Sequence, residues 1–158
     1  MNDLQRLEIR VDDLSGPEIR ALLEEHLRNM HAITPAGSVH ALDLGGLQRP
    51  DVTFWTAWSD GALLGCGALK QLDATHGEIK SMRTPQTQRR LGVGRAILAH
   101  IVDTARSLSY KRLSLETGSS EHFAPARNLY ASFGFTPCGP FGDYQPDPHS
   151  FFMTRELG

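Results

Sequence analysis

The run Thr84, Pro85, Gln86, Thr87, Gln88, Arg89, Arg90, Leu91, Gly92, Val93, Gly94, Arg95 and Ala96 restricts the available folds more than any other part of the chain. Residues 77–84 before it read as a strand, which Pro85 ends. After it, Gly94, Ile97, Leu98, Ile101, Val102, Ala105 and Leu108 recur at helical spacing, so a long amphipathic helix begins near Gly92. A strand therefore feeds a basic, glycine-bearing turn that opens a helix. The first N–H groups of a helix lack intrahelical partners and sit at the positive end of its dipole. Together with small residues they make an anion site, and Arg89, Arg90 and Arg95 add charge suited to a polyphosphate. A solvated, arginine-rich helix start has the same composition. GxxxxGKS/T is absent, and Gly92 and Gly94 lack the third glycine of a dinucleotide-binding turn.

The remaining segments supply a sheet for this turn. Leu7, Ile9 and Val11 alternate with charged residues as in a half-buried strand. Ser15 precedes Glu18 by three positions, a capping-box spacing, and opens a helix over 16–30. Residues 31–50 read as a long loop with a helical turn or two near 39–44. Strands over 52–59 and 62–70 flank the hairpin signal Asp60, Gly61. A strand over 111–117, a helix ending at Phe133 before Gly134, and two strands over 135–144 and 150–157 complete the order β-α-loop-β-β-β-α-β-α-β-β. This predicts an α/β (α+β) domain, one mixed sheet flanked by helices, over residues 1–158.

Composition removes several functional classes. A formal charge of -2 argues against a general binder of nucleic acid or membrane surfaces. Residues 1–10 contain no apolar signal core, and no apolar run reaches the length of a membrane span. Cys66 and Cys138 form no CxxC pair, so two reduced thiols and a cytoplasmic location are expected. None of the seven histidines falls in HExxH or zinc-finger spacing, so no metal is assigned.

The stretch Arg89, Arg90, Leu91, Gly92, Val93, Gly94 resembles the Q/R-x-x-G-x-G/A motif of the GNAT N-acetyltransferase superfamily. Leu129, Tyr130, Gly134 and Phe135 resemble that superfamily's LYxxxGF signature, and the element order from Leu7 to Leu157 is similar almost throughout. The segments at 40–43, 80–84, 115–118, 141–144 and 152–153 look like a bacterial subgroup of YsnE-like acetyltransferases. The resemblance implies a mostly antiparallel sheet and acetyl-CoA as acyl donor. It implies backbone amides of residues 90–95 on the pyrophosphate, and Met82, Arg83 and Thr84 beside the pantetheine arm. Many members place an asparagine before the LY segment; here Ser119 or Ser120 stands in that region. Many are also homodimers.

Acetyl transfer needs a neutral amine, stabilisation of the carbonyl oxygen and protonation of the departing thiolate. Tyr130 is the candidate acid: a phenol of pKa about 10 can protonate a thiolate of pKa about 8.5, and its place in the signature matches the family's tyrosine. Glu78 is the candidate base by its spacing to Gly92, and strict period-2 geometry places it on one face with Met82. A strand carboxylate paired with Lys80 or Arg112 fits Glu78 equally, and Glu116 on the next strand is a second base. His40 and Asp43 in the long loop, with Glu116, are candidate acceptor-binding residues, and Asp43 with Arg83 would suit a small zwitterionic amine. Non-catalytic acyl-CoA binding, nucleotide binding, and acetylation of protein lysines or N-termini remain as alternatives.

Overall fold

Asp60 and Gly61 adopt φ of 50° and 80°, the two left-handed residues that a two-residue hairpin requires, and join β2 (Val52–Ser59) to β3 (Ala62–Gln71). This hairpin lies within a seven-stranded sheet of order β1-β2-β3-β4-β5-β7-β6. The remaining strands are β1 (Glu8–Val11), β4 (His76–Arg83), β5 (Arg112–Gly118), β6 (Thr136–Cys138) and β7 (Ser150–Glu156). All neighbours are antiparallel except β4 and β5, which run parallel through the crossover helix α3 (Val93–Ser107). The computed structural model describes residues 7–35, 37, 44–83 and 92–157.

Two apolar layers sandwich the sheet. On one face Val93, Ile97, Leu98, Ile101, Val102 and Ala105 of α3 are buried against Trp55, Ala57, Leu69, Ile79, Leu113 and Leu115. Helix α4 (Ala124–Ser132) contributes Tyr130 to the same layer. Truncating a side chain such as Leu98, fully buried there, to alanine should cost about 2–5 kcal/mol. On the other face α1 (Pro17–Ile33) and α2 (Leu44–Leu47) bury Ile19, Leu22, Leu23 and Leu47 against Phe54, Cys66 and Ala68. Burial pushes the Cys66 thiol up to about 12, which makes it an inert core residue. No helix among the described residues is long and apolar enough to cross a membrane.

Two local expectations fail. Ser15 does not cap α1: Gly16 occupies the N-cap without a side-chain bond, and the Ser15 hydroxyl donates to Asp13 Oδ1 at 2.6 Å. The strand expected over 135–144 ends at Cys138. Gly139 and Pro140 follow, proline cannot donate to a ladder, and the chain turns at 141–144 to lie over the α1 face of the sheet.

Candidate active site

A single extra residue in β4 shapes the site. Ala68 pairs with Lys80 and Cys66 with Arg83, so Ser81 and Met82 together oppose Gly67. Ser81 takes up the bulge at φ 55°, and its carbonyl accepts the Cys66 thiol at 3.2 Å. The bulge breaks period-2 alternation and overturns the expected common face of Glu78 and Met82. Met82 packs with Ile79 on the α3 side; a Cβ on Gly67 would lie 2.7 Å from its sulfur. Glu78 and Lys80 face the α1 side, with Ala68.

Just before the bulge the sheet opens. The parallel ladder runs from His76 opposite Arg112 to Ile79 opposite Leu115 and stops, although β4 continues to Arg83 and β5 to Gly118. Residues 80–83 and 116–118 therefore flank a slot with no ladder across it. Backbone groups on such edges can pair with an extended, amide-bearing ligand as an added strand would. Met82 and Arg83 stand on this edge as expected.

Helix α3 begins beside the slot: a Cβ on Gly65 would meet both the Arg83 carbonyl and the Val93 side chain. Gly92 caps α3 at φ 78°, a backbone that favours glycine, and makes no side-chain cap bond. The first intrahelical bond from this end is Ala96 N–H to the Gly92 carbonyl at 3.1 Å. The N–H groups of Val93, Gly94 and Arg95 thus precede the helical ladder. Gly94 has no such backbone need, and a Cβ there would meet Leu129 at 3.5 Å, an ordinary contact among the described residues. Close approach of a ligand is what a small residue at 94 permits. The Arg95 guanidinium leans away onto α4, bonding Ser132 Oγ at 3.1 Å and stacking on Phe133, so its contribution at the turn is its backbone N–H. Thr84, Arg89, Arg90 and Leu91 of the turn, and His40 and Asp43 of the long loop, lie outside the described residues.

On the α1 face, strand register sets Glu78 beside Ser114, with Glu116 two residues further along β5. Glu78 Oε2 accepts Lys80 Nζ at 3.0 Å and the Tyr144 hydroxyl at 2.5 Å, and Lys80 also donates to that hydroxyl at 3.0 Å. The ion pair is buried, its side chains 4% and 9% exposed. Burial, then the charge of Glu78, pushes the Tyr144 phenol up, so it stays protonated. Tyr144 packs on Phe141 and Phe152, fastening the 139–149 loop to the sheet. Glu116 lies one residue past the last rung of the ladder, outside these hydrogen bonds but within reach of the Lys80 and Glu78 charges. Burial is the main cause that raises its carboxyl from an ordinary 4.5 to about 7. Between sheet and loop lies a cavity of about 540 Å³ whose lining includes Lys70, Glu78, Lys80, Asp143, Tyr144 and Asp147.

Other expected site residues scatter. Tyr130 is buried on the opposite, α3 face, edge-on to Phe135; burial pushes its phenol up, and its hydroxyl bonds no other described residue. The Ser119 hydroxyl donates to the Pro148 carbonyl at 2.6 Å, closing the far end of the 139–149 loop. Ser120 is exposed, and its carbonyl accepts Arg127, which also holds the Gly118 carbonyl at 2.7 Å. Arg83 pairs with Glu25 of α1 at 3.3 Å and is not part of the cavity lining. Its charge and, first, burial hold neighbouring His26 down at about 4. The Lys80 partner that the sequence offered for Glu78 is the one formed, whereas the sequence singles out no role for Tyr144, Lys70 or Arg127. An aromatic at 144 after a glycine-proline break was the available signal.

A slot between splayed parallel strands, with a helix N-terminus at one end and an acid-lined cavity on one face, defines an acyl-CoA-dependent transferase. The profile of the Acetyltransferase (GNAT) family matches residues 17–135, and the chain belongs to that family. It is 52% identical over 96% of its length, and 100% of the relative's, to "Uncharacterized N-acetyltransferase YsnE" of Bacillus subtilis. An acyl-CoA N-acyltransferase structure from Klebsiella pneumoniae is similar at a TM-score of 0.78 and 27% identity, over 96% of this chain and 98% of that one. An N-acetylglutamate synthase structure from Neisseria gonorrhoeae, complexed with coenzyme A and N-acetyl-glutamate, is similar at 0.71 and 25% identity, over 96% of this chain and 35% of that one. The chain is an acetyl-CoA-dependent N-acetyltransferase with a mixed, mostly antiparallel GNAT sheet.

Proposed function

We propose that the chain acetylates the primary amine of a small, amino-acid-like acceptor bound in the cavity under the 139–149 loop. The observation that carries this reading is Glu116: it follows the last rung between β4 and β5, faces the cavity side of the sheet, and has a carboxyl raised to about 7. A base of that pKa, partly ionised at neutral pH, suits deprotonation of an ammonium group directly or through one water. Glu78 was the first expectation for this role. Its Oε2 already accepts two donors within a buried ion pair, which suits it to holding the loop.

Acetyl-CoA would lie with its pyrophosphate on the N–H groups of Val93, Gly94 and Arg95 and its pantetheine in the slot beside Met82 and Arg83. The amine nitrogen attacks the thioester carbonyl carbon, the carbon–sulfur bond breaks, and Glu116 receives the amine proton. Tyr130, kept protonated by burial on the other face, donates a proton to the departing thiolate. Proton exchange with solvent resets both groups. The cavity's size and its mixture of lysines and carboxylates favour a small charged molecule over a polypeptide.

An amine panel with acetyl-CoA, read by release of free thiol, tests the proposal. Turnover of small amino acids or their derivatives supports it. Turnover confined to peptide N-termini or protein lysines, or no turnover with any amine, refutes it.

A further inference from the structure

The cavity sets Lys70 and Lys80 against Glu78, Asp143 and Asp147, and Lys70 is its lysine without an ion pair among the described residues. Register places Lys70 of β3 opposite Glu78 of β4, the natural cross-strand partner of opposite sign. Glu78 nevertheless takes Lys80 and Tyr144 as its donors. Lys80 is thereby neutralised and sealed, 9% exposed at its side chain. Lys70 lines the same cavity, is only half-buried, and has no counter-charge among the described residues. Arg83, the expected anion anchor, is committed to Glu25 beneath α1 and does not line the cavity.

We infer that Lys70 is a specificity-determining residue that binds an anionic group, a carboxylate, on the acceptor. The inference rests on the proposed transfer to a small amine and narrows the acceptor class to amines that also carry a carboxylate. Asp143 and Asp147 of the lining, with Glu116 on the same face of the sheet as Glu78, supply negative charge for the ammonium group, and Lys70, unpaired among the described residues, supplies positive charge for the carboxylate. Lys70 is half-buried and forms no ion pair among the described residues. It is therefore free to spend its three donors on a ligand. Charge-assisted hydrogen bonds are roughly twice as strong as neutral ones, so a carboxylate there discriminates against its amide.

The test compares amino acids with their own amides in the thiol-release assay, for the wild type, Lys70→Met and Lys70→Arg. In the wild type the acid should exceed the amide in kcat/KM by roughly tenfold or more, about one charged contact. The ratio should fall to about one in Lys70→Met and largely return in Lys70→Arg. A wild type that prefers amides, or a ratio unchanged in Lys70→Met, overturns the inference while leaving amine acetylation intact. Absence of thiol release with every amine overturns the transfer reading instead. In that case calorimetry with an N-acetyl amino acid and its amide, against wild type and Lys70→Met, still decides Lys70. Equal binding of both probes by wild type rejects the assignment.

Discussion

Replacing Glu116 by glutamine should make the protein more stable and much less active, and both effects should follow pH. Its carboxyl lies near 4.5 in an unfolded chain and at about 7 in the fold, with burial the main cause. The folded state therefore prefers the protonated acid. That preference is fully present below pH 4.5 and is lost as pH rises through about 7. The interval of about 2.5, at about 1.36 kcal/mol per pH unit, sets the cost of ionising Glu116 in place at about 3 kcal/mol. Glutamine imitates the neutral acid. Urea titrations should give coincident stabilities below pH 4.5 and a gap that opens above it. Near pH 8.5 Glu116→Gln should be up to about 3 kcal/mol more stable. The same substitution removes the proposed base, so kcat/KM should drop about 10²–10⁴-fold and lose the inflection near pH 7 expected of the wild type. Equal stability at pH 8.5 would mean that Glu116 is not held in an ion-disfavouring site. An unchanged pH profile would remove it from proton transfer.

Gly94→Glu adds a carboxylate where the pyrophosphate is proposed to lie, at a position whose backbone and packing accept a side chain; the variant should fold and lose measurable CoA binding by calorimetry. CoA affinity equal to wild type would move the phosphate site elsewhere. Tyr130→Phe keeps the buried ring and removes the proton, so kcat should fall about 10²–10⁴-fold with CoA affinity retained, and an unchanged rate with chemistry limiting would leave Tyr130 a core aromatic. Tyr144→Phe deletes the hydroxyl that ties the 139–149 loop to Glu78 and Lys80. Loss of about 1.4 kcal/mol of charged hydrogen bonding should raise the acceptor KM roughly tenfold and leave the acetyl-CoA KM unchanged; the reverse pattern would deny the loop its place over the acceptor.

Element order and the start of α3 were legible because each rests on local chemistry. Asp60 and Gly61 can form a tight hairpin, and the stripe from Ile97 to Ala105 has one helical face. The cavity side was less legible because its parts meet only through the sheet. Glu78 and Tyr144 are far apart in sequence, and nothing near either announces the other. Lys70 looks like any strand lysine until Glu78 is seen to choose Lys80 instead. The proposed shift of the base from Glu78 to Glu116 has the same origin. Spacing to a motif identifies a strand position, whereas the burial that raises Glu116 is tertiary, set by its place on β5 beside β7.

Ser81 shows where pattern reading stops and what the exception achieves. A non-glycine residue at φ 55° costs roughly 1–2 kcal/mol, and serine carries no strong preference for that conformation. No feature of the run Lys80, Ser81, Met82, Arg83 predicts it. The compensation is tertiary: the buried Cys66 thiol donates to the Ser81 carbonyl, and the extra residue swings Met82 over to Ile97 of α3. Had β4 stayed regular, Met82 would share the face of Glu78 and Lys80, and the apolar α3 layer would lose its cover over Gly67. The ladder with β5 would also have no local reason to stop at Ile79. Strain of this kind persists where the surrounding structure over-determines it, and it gathers at functional sites. In this sheet it lies beside the slot, between the face that holds Tyr130 and the face that holds Glu116.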